Sequence, residues 1–115
     1  MACHAEVRAK ESRLSDRCDR DFRTTAGGVI TAGLDNACGI AAFTLMPKGA
    51  DIPTVEFKTN LLAPAKGERF IFRARVVKPG RTLTVCEARG FAEADGTESL
   101  VATMTGTLMA LTPRN

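Results

Sequence analysis

The chain has 115 residues, 44% of them apolar and 25% charged, with a formal net charge of +3. That length and ordinary composition give one soluble-type domain with a real core, and exclude a multidomain enzyme or a two-halved nucleotide-binding fold. Six Phe with no Trp or Tyr, and 13 acidic residues mixed among 16 basic ones, argue against a nucleic-acid partner, which asks for stacking aromatics and one-sided charge; a small anionic molecule fits the balance.

Residues 1–25 form a charged N-terminal segment. Glu6, Arg8, Lys10, Glu11, Arg13, Asp16, Arg17, Asp19, Arg20, Asp21 and Arg23 mostly alternate in sign there, with few apolar residues between them. Ala, Glu, Arg and Lys favour a helix over about 4–16, and the weak apolar stripe makes it a solvated helix or a partly disordered segment. The single histidine, His4, lies in this segment, so Ser-His-Asp, Cys-His and histidine-based dehydratase chemistry lack a placed base. Cys3, Cys18, Cys38 and Cys86 contain no C-x-x-C pair, so neither a zinc site nor any other metal or cofactor is expected. No apolar leader precedes the domain and no stretch suits a membrane span, which leads to the expectation of a cytoplasmic protein with reduced thiols and no membrane partner.

The character changes at Thr24. From there to Pro47 the one charged residue is Asp35. Thr24 or Thr25 can cap a helix starting near Gly27–Gly28, and Pro47 ends it. Val29, Ile30, Leu34, Ala37, Cys38, Ile40, Ala41, Ala42, Phe43 and Leu45 fall on most of its faces, and small residues are dense among them. This is the pattern of a helix wrapped by other elements.

The remainder reads as strands. Residues 52–62 alternate, with Val55, Phe57, Thr59 and Leu61 on one face and Thr54, Glu56, Lys58 and Asn60 on the other. Residues 69–77 put Phe70, Phe72, Ala74 and Val76 inward, and Lys78–Gly80 turn the chain. Residues 81–93 and 97–111 make two more strands joined at Asp95–Gly96, a hairpin signal. One long helix followed by four antiparallel strands is an α+β pattern in which a curved sheet surrounds a buried helix.

Asp35 is costly to place inside an apolar helix unless it is paired or used. It can bond a backbone amide, face a partner chain, or serve as general base or nucleophile. Gly27 and Gly28 stand at the helix start, where free N–H groups and the partial positive charge suit a developing oxyanion; a plain helix start is the alternative. Eight residues of helical rise separate Gly27 from Asp35 by about 12 Å. The two therefore work together more naturally across a two-fold dimer than within one chain.

The segments AGGVITAGLDNACG at 26–39, TVEFKTNLLAPAKGER at 54–69, VVKPGRTLTV at 76–85 and ATMTGTLMAL at 102–111 resemble the hotdog-fold thioesterases of the phenylacetate-degradation type, over about Ala26 to Leu111. The resemblance implies a hotdog domain over 26–115, a long central helix wrapped by a curved antiparallel sheet. It implies hydrolysis of an aryl- or fatty-acyl-CoA thioester by homodimers paired into tetramers. It places the catalytic carboxylate at Asp35, the carbonyl-polarising amide at Gly27 and a water-positioning hydroxyl at Thr54, with Gly28 and Asn36 beside them. Lys78 and Arg81, with Lys66 and Arg69, would meet coenzyme A phosphates, or are simply solvated turn charges. Ala26 stands where the family usually has histidine, and residues 1–25 do not read as the strand that normally precedes the helix. A non-catalytic acyl-CoA or hydrophobic-ligand binding protein on the same fold is the alternative reading.

Overall fold

In the computed structural model of the protein, which describes residues 4–10, 27–46 and 49–111, alternating sequence becomes sheet and the small-residue stretch becomes helix. The elements are β1 (His4–Lys10), α1 (Gly27–Phe43), β2 (Thr54–Leu61), β3 (Arg69–Lys78), β4 (Leu83–Ala94) and β5 (Thr97–Met109). The strands form one five-stranded sheet in the order β1-β3-β4-β5-β2, antiparallel throughout. This curved sheet packed on one helix is the α+β hotdog arrangement expected from the sequence.

The helix lies on the sheet face carrying Phe70, Phe72, Ala74 and Val76 of β3, Cys86 and Ala88 of β4, and Ala102, Met104 and Leu108 of β5, all buried. Ile30, Leu34, Ala37, Cys38, Ala41 and Ala42 of α1 meet them. Close approach explains one of the helix glycines: a Cβ on Gly33 would stand 2.5 Å from the Phe72 ring, which also lies against Gly90. The helix ends in a turn, with Leu45 N–H donating to the Ala42 carbonyl at 3.0 Å and Thr44 Oγ1 donating to the Ala41 carbonyl at 2.7 Å. Thr24, Thr25 and Pro47, read as its caps, lie outside the described residues.

The β4–β5 hairpin turns at Asp95 and Gly96, whose φ values are 51° and 78°. Two successive positive φ values twist the turn to match its strands, and an Asp-Gly pair tolerates them.

One expectation is corrected. His4–Lys10 is a strand, β1, paired with β3 from His4↔Arg75 to Lys10↔Arg69, where composition pointed to helix or disorder. Ala5 and Val7 pack against the core while His4, Glu6 and Arg8 are exposed. This period of two, short and charge-flanked, outweighs helix propensity once β3 offers an edge. The strand that normally precedes the family's helix is therefore present, and this part of residues 1–25 belongs to the same sheet. On the outer face Arg73 bonds both Glu6 at 2.8 Å and Glu98 at 2.8 Å, and its guanidinium sits 5.1 Å from the centre of the Phe91 ring, tying β1, β3, β4 and β5 together.

Candidate active site

The site is built on α1 and β2. Asp35 is half-buried in the third turn of α1, on the side turned toward β2. Thr54 Oγ1 donates a hydrogen bond of 2.8 Å to Asp35 Oδ1. Among the described residues Oδ2 has no side-chain donor, so this oxygen is left to attack a carbonyl carbon or accept a proton from water.

Thr54 reaches Asp35 because of a register shift. Thr54 pairs with Leu108 while Glu56 pairs with Thr107, so Val55 is an extra residue against β5. Simple alternation puts Thr54 on the same face as Glu56, Lys58 and Asn60. The irregularity instead gives it the face of Leu108, which is buried against the helix. This corrects the facing read from the sequence. A bulge re-aiming one side chain beside a site is a recurrent device.

Gly27 is the first residue of α1, so its N–H has no intrahelical acceptor. It is half-buried, and a Cβ there would come within 2.5 Å of Leu61 Cδ1 at the far end of β2. Helix and strand therefore pair end to end: Gly27 beside Leu61, Asp35 beside Thr54. Within one chain the helical rise keeps the two ends about 12 Å apart.

The other expected site residues stand apart from this pair. Gly28 and Asn36 are exposed on the solvent side of α1. Lys78 ends β3, Arg81 lies in its connection to β4, and both are exposed; Lys66, between β2 and β3, and Arg69, the first residue of β3, are exposed too. Ala26 lies outside the described residues.

One feature was not read from the sequence. Beside Gly27 lies an apolar cavity of about 190 Å³, with Ile30, Leu61, Ala65 and Val101 in its wall. Its only local signal is the Leu61–Leu62 pair running into Ala63–Pro64–Ala65. Two thiols, Cys38 and Cys86, are buried beneath the site. Burial, helped by the Cys86 thiol and then the Asp35 carboxylate, pushes Cys38 up to about 12, and burial pushes Cys86 up to about 11. They behave as small apolar side chains.

A model of the thioesterase superfamily matches residues 22–99. Among solved structures, a thioesterase family protein from Silicibacter pomeroyi is 47% identical, with 98% of this chain and 81% of that one covered at a TM-score of 0.88. A Bacillus halodurans protein crystallised with CoA is 25% identical, with 95% and 68% covered and a TM-score of 0.80. A thioesterase from Haemophilus influenzae, 19% identical with 96% and 73% covered and a TM-score of 0.82, shares the fold. No curated protein matches the chain.

Proposed function

Since this chain belongs to the thioesterase superfamily, we propose that it hydrolyses an aryl- or fatty-acyl-CoA thioester, with Asp35 as the nucleophile or general base. The observation that carries this reading is the 2.8 Å bond from Thr54 to Asp35. It fixes one carboxylate oxygen and leaves the other to react. The Gly27 N–H at the start of α1 receives the thioester carbonyl oxygen and stabilises the negative charge that builds on it.

Both groups meet across a dimer. β2 is an edge of the sheet, and its Val55, Phe57 and Leu61 are about half exposed, at 52%, 49% and 60%. Pairing β2 antiparallel with its copy about the middle of the strand sets Thr54 opposite Leu61 of the partner subunit. Asp35 then comes to the end of the strand where Gly27 of the partner subunit lies. An open edge with an apolar face is a liability that such pairing removes. Dimers pair in turn into a tetramer.

The reaction balances with water alone. Either Asp35 takes a proton from a water that forms the new C–O bond, or it attacks the carbonyl carbon and water then cleaves the resulting anhydride. Thr54 holds the carboxylate, and holds the water where water attacks. The C–S bond breaks and the coenzyme A sulfur leaves as thiolate, to be protonated from solvent. Gly28 and Asn36 line the approach, and Lys78 and Arg81 are available to the phosphates of coenzyme A. The CoA in the Bacillus halodurans structure supports this ligand class.

Ala26, where the family usually has histidine, favours the second reading, a protein that binds acyl-CoA without turning it over. Thiol release from a panel of aryl- and fatty-acyl-CoAs decides between them. Turnover of at least one ester supports the enzyme; tight binding with none supports the binding protein.

A further inference from the structure

We propose that Thr31 is a positioning residue for both active sites of the dimer: its hydroxyl holds the Gly27 end of α1, and it stands on the two-fold axis beside Thr31 of the partner subunit. The inference rests on the thioesterase reading of the same site and carries it one residue further.

The start of α1 needs holding. Gly27 and Gly28 open the helix, and glycine gives up more conformational freedom on ordering than any other residue. Gly28 is exposed and adds no packing. Gly27 lies against Leu61, and Thr31 Oγ1 donates a hydrogen bond of 2.8 Å to the Gly27 carbonyl. In a helix interior a bond of this kind to the carbonyl four residues back tends to bend or loosen the helix. Here the carbonyl belongs to the first helical residue, where helices fray. The same residue carries the N–H that receives the thioester oxygen, so tying its carbonyl to the helix limits the swing of that N–H. An oxyanion donor is effective when it is aimed before the charge develops.

Thr31 also has a symmetric place. Gly27, Thr31 and Asp35 follow at intervals of four, so they lie along one side of α1, and all three are half-buried. In the dimer Asp35 meets Gly27 of the partner subunit, and Gly27 meets Asp35 of the partner subunit. A two-fold rotation that exchanges these positions leaves their midpoint on the axis. That midpoint is Thr31, about 6 Å of helical rise from each reacting group. The two helices run antiparallel there, each Thr31 against its copy. A side chain much larger than threonine at this point would part the helices and draw both carboxylates away from both amides.

The test joins kinetics to cross-linking. Thr31→Val keeps the size of the side chain and removes the hydroxyl; Thr31→Ser keeps the hydroxyl. On an ester that wild type hydrolyses, Thr31→Val should lower kcat about tenfold, part of the hundredfold or more that loss of an oxyanion donor costs. KM should change less, and Thr31→Ser should restore most of the rate. A non-hydrolysable S-alkyl-CoA thioether has no carbonyl for Gly27 to meet, so it should bind all three proteins alike. In a background with Cys3 and Cys18 changed to Ser, Thr31→Cys should give a disulfide-linked dimer on mild oxidation, since a disulfide spans Cα atoms up to about 7 Å apart. Ala32→Cys, on the exposed side of α1, should not. Full turnover in Thr31→Val, equal losses in the Val and Ser variants, or thioether binding that falls with kcat overturns the positioning role and leaves the thioesterase standing. Linking at 32 in place of 31, or at neither, overturns the axial placement. No hydrolysis by wild type overturns the thioesterase reading and the kinetic role with it, while linking at 31 still supports the axis.

Discussion

Thr54 Oγ1 and Asp35 Oδ1 lie 2.8 Å apart and are joined by a hydrogen bond that spans 19 residues of sequence. The bond couples the irregular start of β2 to the middle of α1. A hydrogen bond to a charged group contributes about 1.5–3 kcal/mol. Thr54→Ala should therefore lower kcat by roughly tenfold to a hundredfold, with a smaller change in KM, and Thr54→Ser should restore most of it. Steady-state kinetics on the two variants separates a positioning hydroxyl from a merely structural one, for which Ser and Ala would give the same kcat.

The edge strand carries its own prediction. Phe57 is 49% exposed in the single chain, so Phe57→Glu costs the isolated domain little. In a β2–β2 pair it places a charge in the apolar face that the pairing covers. Size-exclusion with light scattering should show a dimer or tetramer for wild type and a monomer for the variant, and the monomer should have lost thioester hydrolysis. An active monomer would contradict the shared site.

Gly33 tests the packing beneath the site. Its missing Cβ is what admits the Phe72 ring. Gly33→Ala gains helix propensity and should nonetheless destabilise the fold by about 1–3 kcal/mol through overpacking. Combining it with Phe72→Leu should return part of the loss, a coupling that urea denaturation of the four proteins of the cycle measures directly.

The buried thiols give a pH dependence with a definite sign. Cys38 is raised from 9.0 to about 12 in the folded protein, so the fold favours the neutral thiol. Its stabilising effect is complete below about pH 9, the unfolded value, and is lost as pH rises toward 12, because the unfolded thiol ionises first. Thermal melts should drop across that alkaline window, less steeply in Cys38→Ala. At neutral pH, peptide mapping after brief alkylation should find Cys38 and Cys86 unmodified in native protein and modified after unfolding.

Much of this was legible in the sequence, for physical reasons that also explain the rest. Asp35 stood out because a lone charge among apolar small residues must be paired or used. The start of α1 at Gly27 and the strands β3 to β5 followed from alternation and turn residues, which are local signals. β1 did not: its seven residues, one His with Ala, Val and charged side chains, carry a helix-forming composition, and only pairing with β3 makes them a strand. The facing of Thr54 was hidden because one inserted residue, Val55, inverts the alternation upstream of it. The contact of Gly27 with Leu61 and the cavity beside it are tertiary, joining residues more than thirty apart in the chain.

The most direct measurement is the turnover of Asp35→Asn on an ester that wild type hydrolyses. The substitution keeps the size of the side chain and an oxygen for Thr54, and removes the charge that attacks or takes the proton. The account predicts a fall in kcat of about a hundredfold or more, with folding and acyl-CoA binding retained. Turnover equal to wild type would contradict it.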